Sequence, residues 1–194
     1  MDQLNEIKIT DFITESGETI PSINFSYQLF GKQLGDAPVI LINHALTGNS
    51  NITGKNGWWK EIVGKDKAID IKKFSIISFN IPGNGFYSND FYPPDKFHLG
   101  DIANLFVLAL KELKINKLHS IIGGSIGGCL TWEIAVKKPT IAKFIIPIAS
   151  DWKARDWMIA NTYLQDRILN NSKNPVQDAR IHAMTFYRSP KSLN

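Results

Sequence analysis

The stretch Leu118-His119-Ser120-Ile121-Ile122-Gly123-Gly124-Ser125-Ile126-Gly127-Gly128-Cys129 decides the fold. An apolar run enters a glycine-rich turn and leaves as a helix-forming segment, so it reads as strand, tight turn, helix. Within it stands Gly-x-Ser-x-Gly, with Gly123, Ser125 and Gly127 as its fixed members. A turn this sharp holds its serine in a strained backbone conformation, and bulky side chains two residues to either side would collide. Glycine at both flanks removes the collision. The geometry lifts the Ser125 hydroxyl clear of the sheet and turns the Ile126 N–H toward the place a reacting carbonyl oxygen would occupy. A serine so presented is a nucleophile when a base stands beside it.

Working outward, buried strands recur on both sides of this turn. Ala37–Asn43, Phe74–Asn80, Leu118–Gly123 and Phe144–Ala149 are continuous apolar runs, as expected for strands covered on both faces. Between the second and third, Leu99–Leu113 carries Ile102, Leu105, Phe106, Ala109, Leu110 and Leu113 at helical spacing. Cys129–Val136 forms another helix, stopped by Pro139. Strand and helix thus alternate from residue 37 to 149, the pattern of a parallel sheet with crossover helices. Ahead of them, Ile7–Phe30 alternates apolar and polar residues about Glu15-Ser16-Gly17-Glu18 and reads as an antiparallel hairpin at one sheet edge. Asp151–Asn170 and Pro175–Tyr187 read as two helices with no strand between them. The expected architecture is an α/β-hydrolase fold with a mostly parallel sheet, cut off after the start of a helical lid. Residues 1–150 would form the incomplete core and 151–194 the beginning of the lid.

With 194 residues and 43% hydrophobic content, the chain has material for one real core. A net charge of +4, without a lysine or arginine block, argues for an ordinary solvated surface rather than a nucleic-acid footprint. A weakly positive face suits an anionic small molecule such as a coenzyme A thioester. The acidic, polar start and the lack of any apolar run near the roughly 20 residues of a membrane span argue against a signal peptide or membrane anchor. The single cysteine, Cys129, excludes an internal disulfide and points to a reducing cytoplasm. Core packing is the simplest role for it.

Several other motifs resolve into structural roles. Gly48-Asn49-Ser50-Asn51-Ile52-Thr53-Gly54-Lys55 resembles a phosphate-binding loop, but has one residue too many between the glycines and Asn56 where a hydroxyl should bind magnesium. Gly83-Asn84-Gly85 lacks the third glycine of a dinucleotide loop, and no Cys/His cluster has metal-ligand spacing. Asn43-His44-Ala45-Leu46-Thr47-Gly48 closes the first buried strand, where the Leu46 N–H is placed to share an oxyanion with that of Ile126. His44 is read as a brace for this loop, and His98 and His119 as structural. His182 falls in the lid, where a role as base stays open. Trp58-Trp59 is expected to open a helix and pack in the core. Arg188, after Tyr187, carries a planar fork suited to a carboxylate.

Taken together, these residues resemble the homoserine O-acetyltransferase family of methionine biosynthesis. The matching segments are Asn43–Gly48, Gly57-Trp58-Trp59, Lys67-Ala68-Ile69-Asp70, Gly123–Gly128, and Ala179-Arg180-Ile181 with Thr185–Ser189. The resemblance implies a ping-pong reaction with acetyl-CoA as co-substrate and no bound cofactor. Ser125 would take the acyl group and pass it to an amino-acid hydroxyl, with Leu46 and Ile126 holding the oxyanion. Arg188 and Tyr187 would contact the amino-acid substrate, and the protein would be a homodimer acting on small molecules alone. Ile81–Ser88 departs from the family's pattern, leaving acetyl-CoA or succinyl-CoA as donor and homoserine or serine as acceptor. A serine esterase and a non-catalytic half-protein that binds a completing partner are the competing readings. In this fold the acid and histidine of the triad follow the serine on later loops. Both would lie beyond Asn194, so the 194-residue chain is expected to be inactive and to expose an unpaired apolar edge at Phe144–Ala149.

Overall fold

Residues 3–84 and 97–193 are described by a computed structural model of the chain. They form two compact units, Met1–Trp152 and Lys153–Asn194. The first is built on a six-stranded sheet. Its strands are Leu4–Ile13 (β1), Thr19–Gly31 (β2), Val39–Asn43 (β3), Ser75–Phe79 (β6), Leu118–Gly124 (β7) and Ala142–Ile148 (β8), in spatial order β1-β2-β6-β3-β7-β8. The hairpin β1–β2 is antiparallel and joins β6 antiparallel, whereas β6, β3, β7 and β8 run parallel.

Register explains why the parallel strands read as unbroken apolar runs. Leu41 pairs with Ile77 and Ile121, and all three face one core with Phe25, Phe79, Leu105, Phe106 and Leu130. Their neighbours Ile40, Ile42, Ile76 and Ile122 face the other core with Phe30, Ile52, Val63 and Ile69. Helices Leu99–Glu112 (α1) and Ile126–Lys137 (α2) supply side chains to the first face. Asp101, buried at the start of α1, accepts from the His98 N–H at 2.8 Å and from the Glu15 N–H at 2.6 Å, tying α1 to the hairpin turn.

The second face is covered differently from expectation. Trp58 and Trp59 do not open a helix. They lie in a run of turns, with ring centroids 4.8 Å apart, and pack against the second core. Trp58 N–H donates to Asn51 C=O and Trp59 N–H to Ile52 C=O, so the backbone folds back on the preceding loop instead of winding forward. Two short parallel strands, Val63–Gly64 (β4) and Ile69–Asp70 (β5), complete this cover. They are too short for any hydrophobic period to reveal.

In the second unit, Asp156–Asn171 (α3) and Pro175–Tyr187 (α4) pair, followed by the short helix Pro190–Leu193 (α5). Gln165 Nε2 donates to Ala179 C=O at 3.0 Å, and Trp157 meets Phe186 edge-on at 5.2 Å. Ala179 is the buried residue of this pair, and α3 buries none. No helix among the described residues is long and apolar enough to cross a membrane.

Candidate active site

Ser125 caps α2 at φ 56° and ψ −123°, a left-handed conformation that costs a serine energy. The fold holds it there from both sides. Its N–H donates to Ile148 C=O at 2.9 Å, and its own C=O accepts from Gly128 and Cys129 N–H at 2.8 and 3.1 Å. The flanking glycines are sterically required. A Cβ on Gly123 would strike the Gly127 carbonyl, and one on Gly127 would strike the carbonyls of Asn43 and His44. This close approach sets the end of β3 directly against the start of α2. Asn43 Nδ2 reinforces it by donating to Thr131 Oγ1 at 3.2 Å.

The Leu46 loop begins at that contact. Gly48 N–H donates to Ala45 C=O at 2.8 Å, making a turn with Leu46 and Thr47 at its tip. Leu46 is 72% exposed, and among the described residues its N–H has no acceptor. As the first residue of α2, Ile126 likewise has an N–H without an intrahelical partner. The structure thus brings Ser125, the Leu46 loop and the start of α2 to the same end of the sheet.

The histidines of the first unit are engaged elsewhere. His44 is fully buried, with Nδ1 at 2.7 Å from Ala45 C=O and Nε2 accepting from Ile81 N–H at 3.1 Å. His98 caps α1, beside Glu15, which is paired with Lys137 at the far end of α2. A helix of this length puts that end about 18 Å from Ser125. His119 lies near the start of β7, its ring between those of Phe74 and Phe144. Cys129 is half-buried, its Sγ 3.7 Å from Asp151 C=O, and burial pushes its thiol up from the ordinary range, which disfavours a second nucleophile. Among the described residues no cluster of His, Cys, Asp and Glu could hold a metal ion. In the second unit, Tyr187 ends α4 at 81% exposure, and Arg188 follows as its C-cap. His182 lies against Phe186, with its Nδ1 buried.

Burial lowers the His44 imidazole below its ordinary range, and the bond to Ala45 offsets only part of that. The folded chain therefore binds this proton less readily than the unfolded chain. Stability from His44 is complete above the unfolded value of about 6.5 and is lost as pH falls from there through the folded value. Urea unfolding of the wild type should show a midpoint that drops below pH 6.5, and a His44→Gln variant should show less of that drop. Equal slopes for the two would dismiss the assignment.

A serine held on a strained strand-to-helix turn of a parallel sheet is the defining feature of the α/β-hydrolase fold. The family model described as alpha/beta hydrolase fold matches residues 38–175, and the chain belongs to that family. Within it, the chain is similar to homoserine O-acetyltransferases. It is 34% identical over 167 residues to the enzyme of Corynebacterium diphtheriae, covering 80% of this chain and 44% of that protein. The solved homoserine O-acetyltransferase of Staphylococcus aureus superposes with a TM-score of 0.85 at 28% identity, covering 98% of this chain and 60% of that one. Esterase E22 shares the fold, with a TM-score of 0.77 at 24% identity over 90% of this chain and 54% of that one. The chain spans about half the length of the curated relatives it matches.

Proposed function

We propose that this chain carries the acyl-accepting site of a homoserine O-acetyltransferase. The observation that carries the reading is Ser125 in its strained turn, closed between Gly123 and Gly127 against the loop that bears Leu46. Ser125 Oγ attacks the thioester carbonyl of acetyl-CoA as a base removes its proton. The oxyanion is held by the Leu46 and Ile126 N–H groups, the C–S bond breaks, and coenzyme A leaves with a proton. The homoserine hydroxyl then attacks the acetyl-serine ester and restores Ser125. Arg188, with Tyr187 beside it, binds the amino-acid carboxylate, and residues 151–194 form the lid that bears them. A lone thiol fits a cytoplasmic setting.

The base is not one of the three histidines of the first unit, given where each is held. Unless His182 of the second unit serves as the base, the 194-residue chain alone has no turnover by this reading, because an unactivated serine is a poor nucleophile. The test joins residues 1–194 to the remaining portion of the Staphylococcus aureus relative. The hybrid should form O-acetylhomoserine and carry an acetyl group on Ser125 in a peptide map. Arg188→Ala should raise the homoserine KM about 10- to 100-fold, the worth of a lost charge-assisted pair. An unchanged KM together with steady hydrolysis of acetyl esters would favour the esterase reading. Turnover by the isolated chain that vanishes in Ser125→Ala would overturn the claim that it is inactive.

A further inference from the structure

An oxyanion donor contributes only if it is already aimed when charge develops, since reorganising it would cost what it supplies. The Leu46 amide sits at the tip of an exposed turn that ends in Gly48, so its aim must be set from outside the turn. Two sets of hydrogen bonds, one buried and one partly so, reach the turn, and both involve the consecutive residues Asn80 and Ile81 just past the end of β6.

On the N-terminal side, Ile81 N–H donates to His44 Nε2 at 3.1 Å. A backbone N–H can only donate, so Nε2 is unprotonated and the ring hydrogen sits on Nδ1, which donates to Ala45 C=O at 2.7 Å. Ala45 C=O thus receives both the imidazole and the Gly48 N–H. On the C-terminal side, Asn80 Oδ1 accepts from Ser50 N–H at 2.7 Å. The two hydrogens of Asn80 Nδ2 go to Ser26 Oγ at 2.7 Å and Ser50 Oγ at 3.0 Å, and Ser50 Oγ donates to Gln28 Oε1 at 2.7 Å. All four side chains are buried. A closed network of this kind loses more than one bond when any member is removed.

We propose that His44 and Asn80 are positioning residues that clamp the Leu46 turn at both ends to the end of β6 and so fix its amide at the Ser125 elbow. The role rests on the acyl-transfer reading only in what the amide is for; the clamp itself is a property of this chain. Three measurements on the chain as it stands test it. Nitrogen shifts of its histidines should show His44 as the neutral Nδ1–H tautomer in the wild type. The backbone order parameter of Leu46 should be near the rigid value of about 0.85 and fall below about 0.6 in Asn80→Ala and in His44→Ala. In His44→Gln, whose side-chain oxygen can take the place of Nε2 for Ile81, order should largely return. Third, acylation of Ser125 by a reactive phenyl ester at alkaline pH, where hydroxide serves as base, should slow at least tenfold in both alanine variants.

An Nε2–H tautomer in the wild type overturns the proposal even if no variant folds. So does a Leu46 amide equally ordered in the wild type and both alanine variants. Acylation slowed as expected, with rescue by glutamine, supports it. If the wild type is not acylated at Ser125 while the variants lose order at Leu46, the clamp is supported and the acyl-transfer reading fails.

Discussion

Ser125→Ala and Ser125→Gly should abolish acyl transfer equally in the hybrid enzyme while moving stability apart. Loss of a nucleophile that works as a unit with its base lowers kcat by about 10⁴- to 10⁶-fold, and no neighbouring hydroxyl in the turn can replace it. The backbone at φ 56° and ψ −123° stays strained when the side chain becomes a methyl group, so the alanine variant should match wild-type stability within about 0.5 kcal/mol. Glycine reaches this conformation without penalty. It removes about 1–3 kcal/mol of strain and loses up to about 1 kcal/mol to the freer unfolded chain, a net gain near 1 kcal/mol. The isolated chain suffices for this half of the experiment, read as a rise in the urea midpoint of the glycine variant alone. Equal midpoints for alanine and glycine would mean that the turn stores no more strain than the roughly 1 kcal/mol that glycine loses to its freer unfolded chain.

How much of this was legible beforehand depended on what kind of force fixes each part. Three of the four parallel strands, β3, β6 and β7, were legible because burial on both faces writes an unbroken apolar run into each, as in Val39-Ile40-Leu41-Ile42, and β8 carries the same kind of run although its residues are partly exposed. The hairpin was equally clear, since β1 and β2 alternate about a turn that contains Gly17. The first turn of α2 was read short because Ile126, Gly127 and Gly128 have no helical apolar period; the Ser125 carbonyl and the packing against β3 set its start. The cover over the second face was misread. Trp58-Trp59 looks like a helix opening, yet tertiary contacts with Asn51 and Ile52 outweigh local propensity there.

The candidate site divides in the same way. The sharp turn at Ser125 was legible because steric exclusion dictates glycine at 123 and 127. The oxyanion role proposed for Leu46 rests on its place after a strand, since a backbone N–H leaves no mark on residue choice. Asn80, Ser50 and Gln28 were missed altogether. They are separated by 30 and 22 residues in pairs, and each is an unremarkable polar residue until the sheet brings them together. A polar residue ending a buried strand, as Asn80 does after Phe79, is the one signal that pointed to them. Of Ile81–Ser88, the stretch expected to depart from the family's pattern, residues 85–88 lie outside the described residues.

The isolated chain is expected to self-associate through β8, and Ile146→Lys should suppress it. β8 has one hydrogen-bonded neighbour, β7, and its other edge has none among the described residues. Ile145 pairs with Ile121 and Ile146 with Ile122, so its side chains reach both faces of the sheet. Phe144, Ile145, Ile146 and Ile148 are nonetheless 46%, 38%, 42% and 42% exposed. A parallel strand apolar on both faces is built to be covered, and an open edge of this kind templates pairing with another chain. Lysine at 146 removes about 1 kcal/mol of burial from any such pairing and adds like-charge repulsion, enough to weaken association about tenfold. Because Ile146 is already 42% exposed, the same change should cost the fold itself little, so sizing should shift toward monomer while the thermal unfolding temperature stays nearly unchanged. A wild-type chain that stays monomeric at every concentration would show the edge to be protected. A lysine variant that aggregates as before would move the contact to the exposed aromatic residues of the second unit, Trp157 and Tyr187.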